Sequence, residues 1–389
     1  MLNFEYDNKT KIIFGKNTEV EVGNYTKLHG KKVLLHYGRN SIKKYGLYNS
    51  VIASLKENNI EFVELGGVQA NPRIALAKEG IELSKKENVD FILAVGGGSV
   101  IDSAKAIALG HYYEGDAWEH FFIQGNQPTK VLPVGVVLTL PAAGSESSVV
   151  TVMTKKDGEI KKGYHHDSLR PVFAILNPEL TYTLPNYQTS CGVVDIIAHV
   201  FERYFSNTEN VELTDRLCEG IMTTVIKNGP IALENNEDYA SRAEIMWAGA
   251  LAHNGILGTG RVEDWASHAI EHQLSAIFDL AHGAGLAIIF PAWMKYVYRH
   301  DLPRFTMFAN KVFGVEVNES NLEETSLKGI EMLEEFYKSL DMPIRMSEVG
   351  INEDSIEIMA SKTTQFTQQI GNFVKLNKQD IINIYKLAL

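Results

Sequence analysis

The sequence predicts two domains: an α/β domain over residues 1–182, built on a parallel sheet, and an all-helical domain over residues 183–389. Three observations carry this expectation. The chain, at 389 residues, exceeds the size at which a single hydrophobic core usually stops growing. Its first part alternates short β-rich runs with helix-period runs, the pattern of strands joined by crossover helices. After "TLPNYQ" (183–188) the apolar residues recur at spacings of three and four and β-branched runs disappear, as in packed helices.

The elements follow in order. "KKVLLHYG" (31–38) reads as a strand, and "SIKKYGLYNSVIASLKENN" (41–59) as a helix with Ile42, Tyr45, Val51, Ile52 and Leu55 on or near one face. "IEFVELGG" is a second strand. "PRIALAKEGIELSKKENV" (72–89) is a helix opened by Pro72, whose missing N–H is harmless in a first turn. "DFILAVGGGS" (90–99) is a strand running into a glycine turn, and "VIDSAKAIALG" is the helix after it. "KVLPVGVVLT" and "PVFAILNP" (171–178) are the remaining clear strands.

Composition narrows the class. The 48 Asp and Glu outnumber the 37 Lys and Arg, giving a net charge of -11 that repels phosphate backbones and argues against nucleic acid as a partner. Two cysteines, Cys191 and Cys218, are too few for a disulfide framework and fit a reducing compartment. The N-terminus lacks a basic start followed by an apolar run, and the most apolar stretch, "VLPVGVVLTLPAAG" (131–144), is broken by Pro and Gly. That stretch falls short of the ~20 residues of a spanning helix, so a cytoplasmic protein without a membrane partner is expected.

"AVGGGSVIDSAK" places three glycines and a serine between a strand and a helix. Glycines let the backbone approach a phosphate, and the helix start offers free N–H groups and the positive end of its dipole. Gly96, Gly97, Gly98 and Ser99 are therefore candidates for a pyrophosphate. The spacing matches neither the dinucleotide fingerprint nor the P-loop, and Ser99 with Asp102 also fits a capping box with no ligand. The turn "HYGRNSIKK" (36–44) ends the first strand, and ligands of α/β sheets gather at such ends. It carries Arg39, Asn40, Ser41, Lys43 and Lys44 and no acid between Gly38 and Lys44, which suits a 2′-phosphate better than a ribose diol.

The later half concentrates metal-type donors. Asp195 and His199, four apart in "GVVDIIAHVFERYF", share one helix face inside an apolar segment, where a carboxylate is costly without a partner. His268 follows sixty-nine residues after His199, then His272 and, past a break near Asp279, His282. A carboxylate and three imidazoles suit Fe²⁺ or Zn²⁺, while hydrogen-bonded core histidines remain the alternative. "HAIEH" also spells an inverted zinc-protease motif, which leaves Asp195 and the glycine turn unexplained.

Together, "GGGSVIDSAKAIA", "TLPAAGSE", "PVFAILNPELTYTLP", "GVVDIIAHVFERYF" and "HAIEHQLSAIFDLAHGAGLAIIFP" resemble the iron-containing (group III) alcohol dehydrogenase family, in its NADPH-dependent butanol dehydrogenase and aldehyde reductase branch. The match spans nearly the whole chain. It implies a Rossmann-like α/β dinucleotide-binding domain followed by an all-α metal-binding domain. By motif, it implies Asp195, His199, His268 and His282 as metal ligands and His272 as a residue lining the substrate cleft and relaying a proton. Glu271 is left as an ordinary helix residue. For NADP(H), the resemblance implies Gly38, Arg39, Ser41 and Lys44 near the adenosine ribose and its 2′-phosphate. Asn71, Gly97, Gly98, Ser99 and Asp102 follow along the diphosphate and nicotinamide ribose, and Thr139, Leu140, Lys161 and Leu180 complete the cofactor contacts. Ala143 stands where many relatives carry a hydroxyl residue.

The activity implied is hydride exchange between a short-chain aldehyde or alcohol and the nicotinamide, at a divalent metal acting as a Lewis acid, in a homodimer. A dehydroquinate synthase-type lyase and a non-catalytic metal or nucleotide binder are the competing readings. The lyase would need a basic phosphate pocket among the helices, where few Lys or Arg accompany the histidines.

Overall fold

In the computed structural model, which describes residues 1–389, the strands in chain order are β1 (Lys11–Phe14), β2 (Lys32–Tyr37), β3 (Glu61–Leu65), β4 (Phe91–Gly96), β5 (Val134–Leu138), β6 (Val150–Lys155), β7 (Ile160–His165) and β8 (Phe173–Leu176). Six of them form one sheet in the order β1-β8-β5-β4-β2-β3, and every pairing in it is parallel. The central strands are buried residue after residue, as expected when helices cover both faces.

The helices along the first part are α1 (Val22–Thr26), α2 (Ser41–Lys44), α3 (Leu47–Glu57), α4 (Ile74–Lys86) and α5 (Gly98–Gly110). Alternation along the strands sorts the core into two layers. Val33, Leu35, Leu93, Val95 and Ile175 pack with Val22, Ile42, Val51 and Leu55 of α1 to α3. Leu34, Ile92, Ala94, Val136 and Ala174 pack with Ile74, Ile81, Ile101 and Ala104 of α4 and α5.

The second part is helical throughout: α6 (Asn186–Tyr204), α7 (Glu212–Glu234), α8 (Tyr239–Ala252), α9 (Ala266–Phe278), α10 (His282–Val297), α11 (Leu302–Phe313), α12 (Leu322–Ser339), α13 (Ile356–Thr363) and α14 (Lys378–Leu387). By its internal contacts the chain forms two units. One comprises Asp7–Leu184 with Asn236–Asn254, and the other Met1–Tyr6 with Pro185–Asn235 and Gly255–Leu389. The α8 segment thus belongs to the sheet unit, where Met246 and Ala250 join the α4/α5 core layer. In the helical unit α6 packs on α7 and α10, and α9 on α10 and α13.

Local departures from the expected elements have local causes. The helix expected over 41–59 is two helices, because Gly46 sits at φ 86° as the N-cap of α3. The antiparallel hairpin β6/β7 has no counterpart among the expected strands, although Asp157-Gly158 at its turn is a hairpin signal. The N-cap of α5 is Gly97 and no side chain caps it, so Ser99 and Asp102 do not form a capping box. No helix is long and apolar enough to cross a membrane.

Candidate functional site

Asp195, His199 and Glu202 occupy positions i, i+4 and i+7 of α6 and so form one stripe, and all three are buried. His199 Nδ1 lies 2.9 Å from both the Asp195 backbone oxygen and its Oδ1. The His268 ring, in the first turn of α9, is 4.6 Å from the His199 ring. His282 opens α10 after Asp279 reverses the chain in a left-handed conformation, φ 57°. A side chain on the next residue, Gly283, would meet the Cys191 backbone oxygen at 2.2 Å, so glycine is what lets α10 start directly on α6. His282 Nε2 then faces Asp195 Oδ1 at 3.9 Å.

Asp195, His268 and His282 offer three donor atoms within 4.8 Å of one another. The imidazoles are braced from behind. His268 Nδ1 is 2.6 Å from Glu202 Oε1, and His282 Nδ1 bonds Glu271 Oε2. A ring that donates from Nδ1 to a carboxylate presents an unprotonated Nε2, the form a metal requires. One carboxylate and two carboxylate-backed imidazoles, with His199 alongside, have the chemistry of a site for a first-row divalent ion.

Glu271 is therefore no ordinary helix residue. It is fully buried, accepts from Ser275 Oγ at 2.5 Å, and holds His282. Gly285 leaves room for it, since a Cβ there would lie 2.4 Å from Glu271 Oε1. Local spacing pairs Glu271 with its helix neighbours, and only the reversal at Asp279 brings His282 onto it. Half-buried His272 joins Glu271 and His282 in a second donor group within 4.8 Å, beside the Asp195 group and outside it. The two histidines of "HAIEH" fall in different groups, which is not how a protease pair is used.

Glu202, which the sequence reading passes over, also shapes the start of α9. Its Oε2 accepts the Trp265 N–H at 2.5 Å and its Oε1 the His268 N–H at 3.1 Å. Trp265 is held in a left-handed conformation, φ 68°, costly for a bulky residue. Its indole donates to Glu263 at 2.6 Å and the Arg203 guanidinium lies over its ring at 4.3 Å. Burial pushes the Glu202 carboxyl up to about 7, opposed by the N–H groups of His268 and Trp265.

The residues expected for the nucleotide lie in the sheet unit. Because the strands are parallel, Gly38 after β2, Gly97 to Ser99 after β4, Thr139 and Leu140 after β5 and Leu180 after β8 all follow strand C-terminal ends, on one edge of the sheet. The strand order reverses direction between β2 and β4, where a nucleotide crevice is expected. A Cβ on Gly97 would press on Leu140 at 3.0 Å, whereas Gly98 faces open space. Arg39, Ser41 and Lys44 are exposed. Lys161 Nζ donates to Asn71 Oδ1 at 3.1 Å, which brings those two together.

Asp102 is placed differently from its neighbours. Its oxygens accept from Ser145 Oγ at 2.6 Å and Val152 N–H at 3.0 Å, tying α5 to β6. Glu64, on the strand beside β2, accepts from Tyr37 and Tyr48 hydroxyls at 2.8 and 2.7 Å and lies 3.8 Å from Lys43 Nζ. An acid thus does flank the basic turn, from a strand the spacing argument did not reach.

Comparison with known proteins bears on both units. Residues 9–178 match the model of iron-containing alcohol dehydrogenases, and residues 189–389 match that of the C-terminal part of the Fe-containing alcohol dehydrogenase family. The chain is 43% identical over 388 residues to NADH-dependent butanol dehydrogenase A of Clostridium acetobutylicum, covering 99% of each. It is 35% identical over 364 residues to the NADPH-dependent aldehyde reductase YqhD of Escherichia coli, covering 93% of each. The crystal structure of NADH-dependent butanol dehydrogenase A from Thermotoga maritima superposes with a TM-score of 0.96 at 41% identity, covering 100% of this chain and 99% of that one. With both parts matched by family models and this identity along nearly its full length, the chain belongs to the iron-containing alcohol dehydrogenase family.

Proposed function

We propose that the protein is a metal-dependent alcohol dehydrogenase and aldehyde reductase that interconverts short-chain aldehydes and primary alcohols with NADP(H). The buried cluster of Asp195, His268 and His282, with its imidazoles backed by Glu202 and Glu271, is the observation that supports this most strongly. Asp195, His268 and His282, with His199 alongside, would hold an Fe²⁺ or Zn²⁺ ion, which when bound would supply Lewis acidity at the substrate oxygen. A bound nicotinamide would supply or accept the hydride. His272, half-buried beside His282, carries a proton between the substrate oxygen and solvent on its imidazole, which can both accept and donate one.

Gly97, Gly98 and Ser99 at the start of α5 receive the diphosphate on backbone N–H groups, and the open space at Gly98 permits close approach. Gly38, Arg39, Ser41 and Lys44 take the ribose and its 2′-phosphate; Asn71 with Lys161, and Thr139, Leu140 and Leu180, complete the contacts. Asp102 serves this site by fixing α5 against β6. The names carried by the relatives, some NADH-dependent and one NADPH-dependent, favour a nicotinamide cofactor, and Glu64 beside Lys43 favours some use of NADH as well. We also assign a cytoplasmic homodimer, which sedimentation and fractionation would check.

Consumption of NADPH and of NADH with butanal, by metal-stripped protein reloaded with Fe²⁺ or Zn²⁺, tests the proposal. Turnover that returns with metal and is faster with NADPH is expected. Absence of turnover with every aldehyde and both cofactors would overturn it, and would leave the lyase and the non-catalytic binder as the readings to pursue.

A further inference from the structure

We propose that Glu202 is a positioning residue that aims His268 into the metal site; this rests on the reading of Asp195, His268 and His282 as a metal site. The first N–H groups of a helix lack intrahelical partners, and a side chain at the N-cap usually supplies the acceptor. The N-cap of α9 is Trp265, which has no acceptor to give, and its left-handed backbone turns its own N–H inward. Glu202 replaces the missing cap from another helix, accepting the N–H of His268, the third residue of α9, and that of Trp265. The same carboxylate then takes His268 Nδ1 at 2.6 Å.

Two backbone N–H groups and the His268 ring thus meet one side chain that is 1% exposed. Each Glu202 oxygen accepts a backbone N–H, and a carboxylate so placed is an acceptor for the ring as well, which assigns the His268 proton to Nδ1 and leaves Nε2 unprotonated. Both the rotamer and the tautomer of His268 are locked to the start of its own helix. Glu202 stands seven residues after Asp195 on the same stripe of α6, so one helix supplies the carboxylate donor and the aim of a donor on another. The site accepts only a residue that cannot donate. Glutamine has the same shape, but its amide would point N–H groups at a donor, and one relief is for His268 to carry its proton on Nε2 instead.

The test uses full-length, metal-stripped protein at pH 8 with Zn²⁺ as the probe, in competition with a chromophoric chelator. Glu202→Gln is expected to weaken Zn²⁺ binding about 10- to 100-fold, the usual effect of losing a carboxylate behind a ligating histidine, with far-ultraviolet dichroism unchanged. In the unaltered metal-free protein, long-range ¹H–¹⁵N NMR is expected to find the His268 proton on Nδ1, a measurement that needs no variant to fold. Wild-type Zn²⁺ affinity in Glu202→Gln, or a proton on Nε2 in the metal-free wild type, would overturn the positioning role while leaving the metal site intact. If the wild type takes up no Zn²⁺ and His268→Ala changes nothing, the metal reading fails and the positioning role with it.

Discussion

In the helical unit the candidate ligands are side chains, brought together from three helices and braced by a second ring of buried carboxylates. At the edge of the sheet the candidate nucleotide contacts are largely backbone, presented by glycines at strand ends and surrounded by exposed polar side chains. A site made of side chains fails when one is removed, and a site made of backbone fails when atoms are added to it. This contrast predicts where each half of the protein is fragile.

The largest effect is expected at a ligand. His268→Ala should abolish metal uptake and lower kcat/KM by roughly 10³-fold or more, since Lewis-acid stabilisation is worth several kcal/mol and each 1.36 kcal/mol is tenfold. Metal content and turnover should fall together; a variant that keeps one without the other would separate the cluster from catalysis.

Buried carboxylates give the next test. Glu202 and Glu271 face donors, whereas Glu146 in the sheet unit is buried with Oε1 lacking a hydrogen-bond partner, and burial pushes its carboxyl up to about 7. The folded protein then holds a proton that the unfolded chain releases above its ordinary value near 4.5. Stability therefore falls as pH rises from about 4.5 to 7, by at most ~3 kcal/mol from this group. Glu146→Gln should melt higher than wild type at pH 8 and match it at pH 4; equal melting at both pH values would show that Glu146 is not a buried liability.

Glycines sharpen the contrast further. Gly283→Ala sets a methyl group against the Cys191 backbone and should cost about 1–3 kcal/mol of stability and loosen Zn²⁺ binding. Gly98→Ala meets nothing within 4 Å, so its melting temperature should hold while the cofactor KM rises about tenfold, the scale of one lost hydrogen bond to a charged group. The smallest effect is expected at Glu64→Gln, which removes the charge beside Lys43 and should shift preference toward NADPH by up to about 5-fold, the range of an exposed ion pair. Parallel KM measurements with both cofactors decide it.

Much of this was legible along the chain. The parallel sheet followed from alternating runs, and Asp195 with His199 from four-residue spacing in an apolar helix. Glu202 lies on the same stripe, but its partners are sixty-odd residues away, and no local spacing pairs a carboxylate with a distant helix start. Glu271 escapes helix spacing because its partner His282 lies past the reversal at Asp279. Glu64 escaped because its neighbour β2 is close in the sheet and distant in the sequence. The β6/β7 hairpin is rich in Lys and Thr, too polar to stand out beside continuous apolar strands.

The excursion of the chain at Asn236–Asn254 has a kinetic consequence. Asp195 and His199 are made before it, His268 and His282 after it, so the cluster closes a loop of sixty-nine residues measured from His199 to His268. Closing such a loop costs about 4 kcal/mol in chain entropy. On the proposed metal reading, a nascent chain that has not yet emerged beyond His282 has no complete place for the ion, and a bound ion would act as a clasp that closes this loop.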